Sequence, residues 1–292
     1  MTEAAPRTAP PPRRDPALVR AVGGWPSAFG LAIVALAVFC AIFAPLLAQA
    51  DPQAQNLLAR NRPPGAAAWL GTDHLGRDVF SRLVHGARVS LAVGFAGLLV
   101  ALVLGAGLAG LAVAAGRWPR RAFTAFVDLL RALPGVLLAL VLVVALGSGT
   151  VPVILATGIS FLPMFAVVTA STYEREARAG YVRSALVLGA GRLRILFVHV
   201  LPNVLGALVT LSAIILPRVI TLESVLSFFG LGVSPDTPSW GRMIADASRF
   251  AERAPHALAA PTLALVLTTL AMALLGDGLR RRFDPLRRSL AR

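Results

Sequence analysis

Apolar residues gather along this chain into long runs separated by polar intervals, and the run lengths set the first expectations. A helix needs roughly 20 apolar residues to cross about 30 Å of hydrocarbon. Six runs qualify: 28–48, 89–115, 122–146, the run after the short turn 147–150 as far as 172, 203–222 and 257–276. The intervals give the remaining organisation: a Pro-, Ala- and Arg-rich tail over 1–27, expected to be disordered, and a turn-rich outer segment over 49–87. A multi-span core over 88–280 follows, with a basic loop at 173–202 and an outer segment at 223–256, and then a basic tail over 281–292. Too few apolar residues lie in the tails to support a packed core.

Details within the runs add local predictions. Gly94, Gly97, Ala101, Gly105 and Ala109 recur every third or fourth position of the second run, a pattern that lets helix backbones approach closely in lipid. In the third run Asp128 and Arg131 stand three apart and neutralise one another on one helix face, and Pro134-Gly135 bends or breaks the helix. Ala48-Gln49-Ala50 is similar to a signal-peptidase site, but the run before it exceeds the usual signal core of about 7–15 residues, so an uncleaved first helix is expected.

Two polar intervals carry the candidate chemistry. Tyr181 to Asn203, YVRSALVLGAGRLRILFVHVLPN, reads as a short basic amphipathic helix, a glycine turn at 189–191, a second basic helix, and Leu201-Pro202-Asn203 leading into the next run. A polar knuckle between apolar runs suits a segment that receives force or a signal from a partner. In the interval 49–87, Asp73, His74 and Asp78 offer metal-ligating atoms, but no second histidine pair accompanies them. Pairing with Arg77 and Arg82 and capping of the following helix account for both aspartates.

Composition places the chain in the all-α, polytopic membrane class: 57% of residues are apolar, and the mean hydropathy is +0.74. All 28 basic side chains are arginines. Without lysine there is no P-loop lysine, no Schiff base and no Ser-x-x-Lys nucleophile, so ATP-driven work would require an ATPase on another chain. The net charge of +14 does not point to nucleic acid, because the arginines cluster at the ends of apolar runs and no exposed aromatics interleave with them. Placing both termini in the cytoplasm gives the inner intervals a roughly two-to-one arginine excess, with Arg60, Arg62, Arg77, Arg82, Arg88, Arg218, Arg242, Arg249 and Arg253 counted outside. Cys40, the single cysteine, lies in an apolar run and excludes a disulfide framework. Two other classes stand as alternatives. An intramembrane enzyme would draw on His74, His85, His199 and His256, which form no HExxH and accompany no Gly-x-Ser-x-Gly; a passive channel would need a filter motif that is not evident.

Four strings in order are similar to one family. Leu70 to Arg82 resembles the LGTDxxGRDVxSR signature of ABC importer permeases for dipeptides, oligopeptides and nickel, immediately before their second span. The knuckle resembles their Glu-Ala-Ala loop, with Arg183, Ser184 and Ala185 at the triplet, Gly189 after three intervening residues, and Leu201-Pro202 at the end. Ser227 to Gly232 with Pro235 to Met243 resembles SFLGLGxxPPxPSWGxM, and Gly276 to Arg280 resembles GDGLRD. The resemblance implies the six-span type I importer permease fold in a bacterial inner membrane. It also implies a second, different permease, two ATPases that carry the ATP and Mg, and an extracytoplasmic binding protein, with no cofactor or metal on this chain. Arg183, Ser184, Ala185, Gly189, Leu201 and Pro202 are then the expected ATPase-coupling residues, with arginine where the family has glutamate. Ser239, Trp240, Gly241 and Met243 are the expected contacts of the binding protein. The transported solute would be a peptide, glutathione or a nickel chelate.

Overall fold

The computed structural model describes residues 24–191, 194–234 and 236–283. The two expected tails therefore lie outside the described residues, except at their inner ends. There, residues 25–27 and 281–283 are already helical. Helix α1 (Trp25–Ile42) starts three residues before the predicted position because Pro26 sits at its first turn, where a missing N–H costs nothing. It stops at Phe43, and a single turn, α2 (Ala44–Leu47), completes the predicted run.

Helix α3 (Val79–Ala114) is 36 residues long, about 54 Å at 1.5 Å per residue. Asp78 caps it: the carboxylate accepts from the Ser81 N–H at 2.7 Å, satisfying a donor that the helix leaves unpaired. Helix α6 (Thr150–Ala177) packs along α3 over the most extensive interface of the bundle. Small residues the periodicity picked out line this face: Gly94, Gly97, Ala101, Gly105 and Ala109 are all buried, with Gly97, Gly105 and Ala109 toward α6 and Gly94 against Ile220. A Cβ on Gly97 would collide with Thr157 Oγ1, and one on Gly105 would lie 2.6 Å from the Leu162 carbonyl oxygen. Close backbone approach, with the dispersion contacts it allows, holds helices together where no hydrophobic effect operates between them.

The third predicted run is two helices, α4 (Arg117–Ala132) and α5 (Gly135–Leu146), which meet at 97°. Leu133 adopts an extended backbone because the ring of Pro134 excludes the helical region for the residue before it. Asp128 and Arg131 form the anticipated local pair, at 3.6 Å. After α6 come α7 (Gly180–Val187), a π-helical turn Ile195–Val200 and α8 (Leu201–Phe228). A short helix α9 (Trp240–Ser248) precedes α10 (Pro255–Phe283). Among the described residues five helices are individually long and apolar enough to span a membrane, and the count reaches six where the bent α4–α5 pair is taken as one broken span.

Two boundaries differ from expectation. Glu223, predicted to open an outer segment, lies fully buried inside α8, which continues to Phe228. Ser227 and Ser224 donate to its two carboxyl oxygens at 2.7 and 3.3 Å, so a polar group remains in the helix without water. Arg218, counted among the outer arginines, also lies within α8, ten residues before its end.

Candidate coupling loop, cap and groove

The bundle has two dissimilar ends. At one, the chain turns through the basic loop between α6 and α8. Val182 is buried, and Ala185 and Ala190 pack with it against Ile195, Val200, Val204 and Leu208. Arg183 and Ser184 face out, and the Ser184 hydroxyl donates to the Gly180 carbonyl at 3.1 Å. At the tip, Val187 and Leu188 are each 87% exposed, apolar side chains without cover. Gly189 follows with φ +81°, a left-handed conformation that a side chain disfavours. Of the second predicted basic helix, Arg192 and Leu193 lie outside the described residues, while Arg194 and the π-helical turn run without interruption into α8 at Leu201. Pro202 occupies the first turn of α8; it is exposed, and Leu201 is half-buried.

A polar clip, which no motif signals, ties this loop to the spans. The Tyr181 hydroxyl donates to Glu176 at the end of α6. Asn203, in the first turn of α8, donates through Nδ2 to Glu176 at 3.1 Å and to the His199 carbonyl at 3.0 Å. The hydrogen bond that the Tyr181 hydroxyl gives to Glu176 raises its pKa above the ordinary value, because ionisation would remove the donated proton. Arg120, near the start of α4, pairs with Glu174, two residues before Glu176 on α6. The tips of α4, α6, α7 and α8 are therefore linked by hydrogen bonds between side chains far apart in sequence.

The other end is capped by segment 49–78 and by α9. Asp73 accepts from the Leu75 and Arg77 N–H groups at 2.9 and 3.0 Å and from Arg77 Nε at 2.7 Å, with Arg82 Nε at 3.7 Å. Asp246 of α9 receives Arg77 at 3.4 Å and Arg242 at 3.3 Å. Asp73, Arg77 and Arg82 are all buried, so this is a desolvated ion network in which each carboxylate serves more than one guanidinium. Asp73 thus pairs as the sequence suggested, while Asp78 is committed to its helix cap. His74 stacks on Phe250 at 4.6 Å, and burial pushes its pKa below the ordinary histidine value, against the opposing pull of Asp73.

The four residues expected to meet a binding protein lie within this cap. Ser239 caps α9, its hydroxyl accepting from Arg242 N–H. Trp240 donates through Nε1 to the Leu83 carbonyl at 3.1 Å and through its backbone N–H to Ser90 at 3.2 Å. A Cβ on Gly241 would lie 2.7 Å from Ser224 Cα. Ser239, Trp240, Gly241 and Met243 are all buried, so they anchor α9 to α3 and α8 and are withdrawn from direct contact with an outside protein in this conformation. The Ser-Trp-Gly-x-Met string is spaced for packing, a role its motif did not reveal.

Between the ends, an open groove of about 1040 Å³ runs along the bend of α4–α5, α6, α8 and α10. Phe161, Met164 and Leu211 give it apolar walls, and Arg131, Arg218 and Asp277 face into it. The sequence offered one signal for it: a lone arginine after Pro217 in an otherwise apolar run.

Residues 97–289 match the family described as "Binding-protein-dependent transport system inner membrane component", and residues 27–64 match "N-terminal TM domain of oligopeptide transport permease C". The chain is 40% identical to the di/tripeptide transport system permease protein DppC of Pseudomonas aeruginosa over 265 residues, covering 88% of this chain and 86% of that one. It is 40% identical to the glutathione transport system permease protein GsiD of Pectobacterium atrosepticum over 225 residues, 77% and 75% of the two chains. Its fold is similar to a chain of the MetNI methionine ABC transporter in an inward-facing conformation, with a TM-score of 0.57 at 19% identity, covering 70% of this chain and 96% of that one. A chain of an amino acid ABC transporter gives the same TM-score at 13% identity, covering 70% and 95%.

Proposed function

The chain belongs to the family of binding-protein-dependent transport system inner membrane components and is a permease subunit of an ABC importer, and from that premise we propose that it forms half of a translocation pore for di- or tripeptides, or for a related small solute such as glutathione or a nickel chelate. The family is one of transporter permeases rather than enzymes, and its members work with ATPase and substrate-binding components. In the proposed assembly a second, different permease completes the pore, and two separate ATPase subunits supply the ATP, the Mg and its hydrolysis. The loop end faces the cytoplasm with both termini of the chain, and the cap end faces outward from the inner membrane toward the binding protein.

The observation that carries this reading is the loop tip: Val187 and Leu188 stand 87% exposed beside the outward-facing Arg183, on a segment clipped to two spans. Apolar side chains held out on a rigid polar knuckle fit a groove on a partner. Arg183, Ser184 and Gly189 form the ATPase contact with the exposed tip, while Ala185, expected in that contact, instead packs against the bundle and backs it; arginine in place of the family's glutamate calls for an acidic patch on the ATPase. When ATP draws the two ATPases together, each carries its loop. Leu201-Pro202 passes the displacement to α8, and the Glu176–Tyr181–Asn203 clip makes α6 follow. The groove then exchanges access from one side to the other by rigid-body rocking. At the cap, the binding protein meets exposed neighbours of the buried Ser239–Met243 anchor, such as Phe229, 61% exposed, and Trp69, 58% exposed.

The first measurement is gentle solubilisation from the native membrane followed by mass spectrometry of what copurifies. An ATPase and a second permease are the expected companions. A chain that emerges alone, under conditions that preserve other membrane complexes, would overturn the assembly and favour a passive channel.

A further inference from the structure

Charged side chains at membrane depth are costly, and they persist where they are paired or face a path for charged solutes. The groove holds three. Arg131 has its counter-ion in Asp128 at 3.6 Å. Arg218 on α8 and Asp277 on α10 have no ion pair among the described residues, and both side chains are exposed to the groove.

Their relative height follows from the packing of the two helices. Helix α9 links the end of α8 to the start of α10 at the cap, so the two spans are antiparallel. Gly276 lies against Ala213, where an added Cβ would be 2.9 Å from the Ala213 carbonyl oxygen. From that level Arg218 lies five residues toward the cap and Asp277 one residue toward the loop end, a separation of about 9 Å along the axis at 1.5 Å per residue. An extended dipeptide places its ammonium and carboxylate about 7 Å apart. The reach of an arginine side chain covers the difference, and its planar fork matches a carboxylate in a way that no apolar wall residue does.

We propose that Arg218 and Asp277 form a zwitterion site on the translocation path, Arg218 receiving the carboxylate and Asp277 the ammonium of a short peptide. The proposal rests on the importer reading above and sharpens it. A groove of about 1040 Å³ is at the upper end of small-ligand sites, which suits a di- or tripeptide. Its apolar walls at Phe161, Met164 and Leu211 tolerate varied side chains without reading them, so the two peptide termini are what this site recognises.

The test is uptake of labelled dialanine and trialanine by the complete importer in proteoliposomes, with its binding protein and the peptide added outside and ATP enclosed in the lumen. Arg218→Gln and Asp277→Asn should each lower dialanine uptake about tenfold or more, the loss of one charge-assisted pair. Arg218→Lys, which retains the charge but loses the planar fork, should restore part of it. Unchanged uptake in both neutral variants overturns the site while leaving the peptide reading intact. Loss of uptake together with loss of the partner subunits also overturns it, because Arg218 would then be an assembly residue. Absence of uptake of either peptide by the unmodified importer overturns the peptide reading and the site with it.

Discussion

The cap and the coupling loop are both polar ends of one helical bundle, yet they satisfy their polar and apolar groups in opposite ways. At the cap, Asp73, Arg77 and Arg82 are buried together, and Trp240 packs among α1, α3 and α10 with its N–H groups bonded to Leu83 and Ser90. Most of that region's charged groups are paired within the chain, while Asp78 Oδ1, His74 Nδ1 and Arg82 Nη2 are buried without a hydrogen-bond partner among the described residues. At the loop, Val182 and Ala185 anchor one face while Val187 and Leu188 are left in the open. Buried ion networks tolerate few alternative arrangements, because any displacement strands a desolvated charge. An exposed tip on a glycine turn has no such restriction, and its apolar surface is satisfied only by another protein. The contrast indicates that the cap is a fixed platform and that the loop is the part finished by assembly.

Substitutions at the two ends should separate those roles. Asp73→Ala should have the largest effect, about 3–5 kcal/mol of stability, because it leaves Arg77 and Arg82 buried with only Asp246 between them. Thermal unfolding of the purified chain in detergent measures this, and a melting temperature close to that of the unmodified protein would mean that the network is not desolvated. Gly189→Pro should have the reverse profile. Proline is fixed near φ −65° and cannot occupy +81°, so the tip is remodelled at a local cost of about 1–3 kcal/mol. Membrane insertion should be intact and uptake abolished; normal uptake would remove Gly189 from the coupling contact.

The smallest effect concerns pH at the cap. His74 has a folded-state pKa below its unfolded value of about 6.5, so the neutral form is favoured on folding. Its contribution is fully present above pH 6.5 and is lost as the pH falls through the depressed folded value, since the unfolded chain takes up the proton first. Melting temperatures measured from pH 8 to 5 should fall slightly toward acid, and His74→Phe, which keeps a ring to stack on Phe250, should flatten the slope. An identical slope in the variant would assign the acid sensitivity to another group.

What could be read in advance was whatever depends on neighbours in sequence. The spans follow from run length, because a bilayer imposes a length on any helix that crosses it. The small-residue face of α3, the Asp128–Arg131 pair and the break at Pro134 follow from helical periodicity and from the geometry of proline. Gly189 declared itself by its place between two basic segments. The basic loop could therefore be located, though not the clip that fixes it, since Glu176, Tyr181 and Asn203 meet only after α6 and α8 have packed.

The sequence by itself determined that this is an all-helical membrane protein with a basic knuckle and four family signatures in order. Only the tertiary structure decided that the Ser-Trp-Gly-x-Met string is an internal anchor, that Arg77 reaches Asp246 across 169 positions, and that Arg218 belongs to a groove and not to an outer segment. The physical reason is common to all three. Whether a polar or aromatic side chain faces lipid, water, a cavity or another helix is set by which helices lie beside it, and in this chain those neighbours come from runs many turns apart.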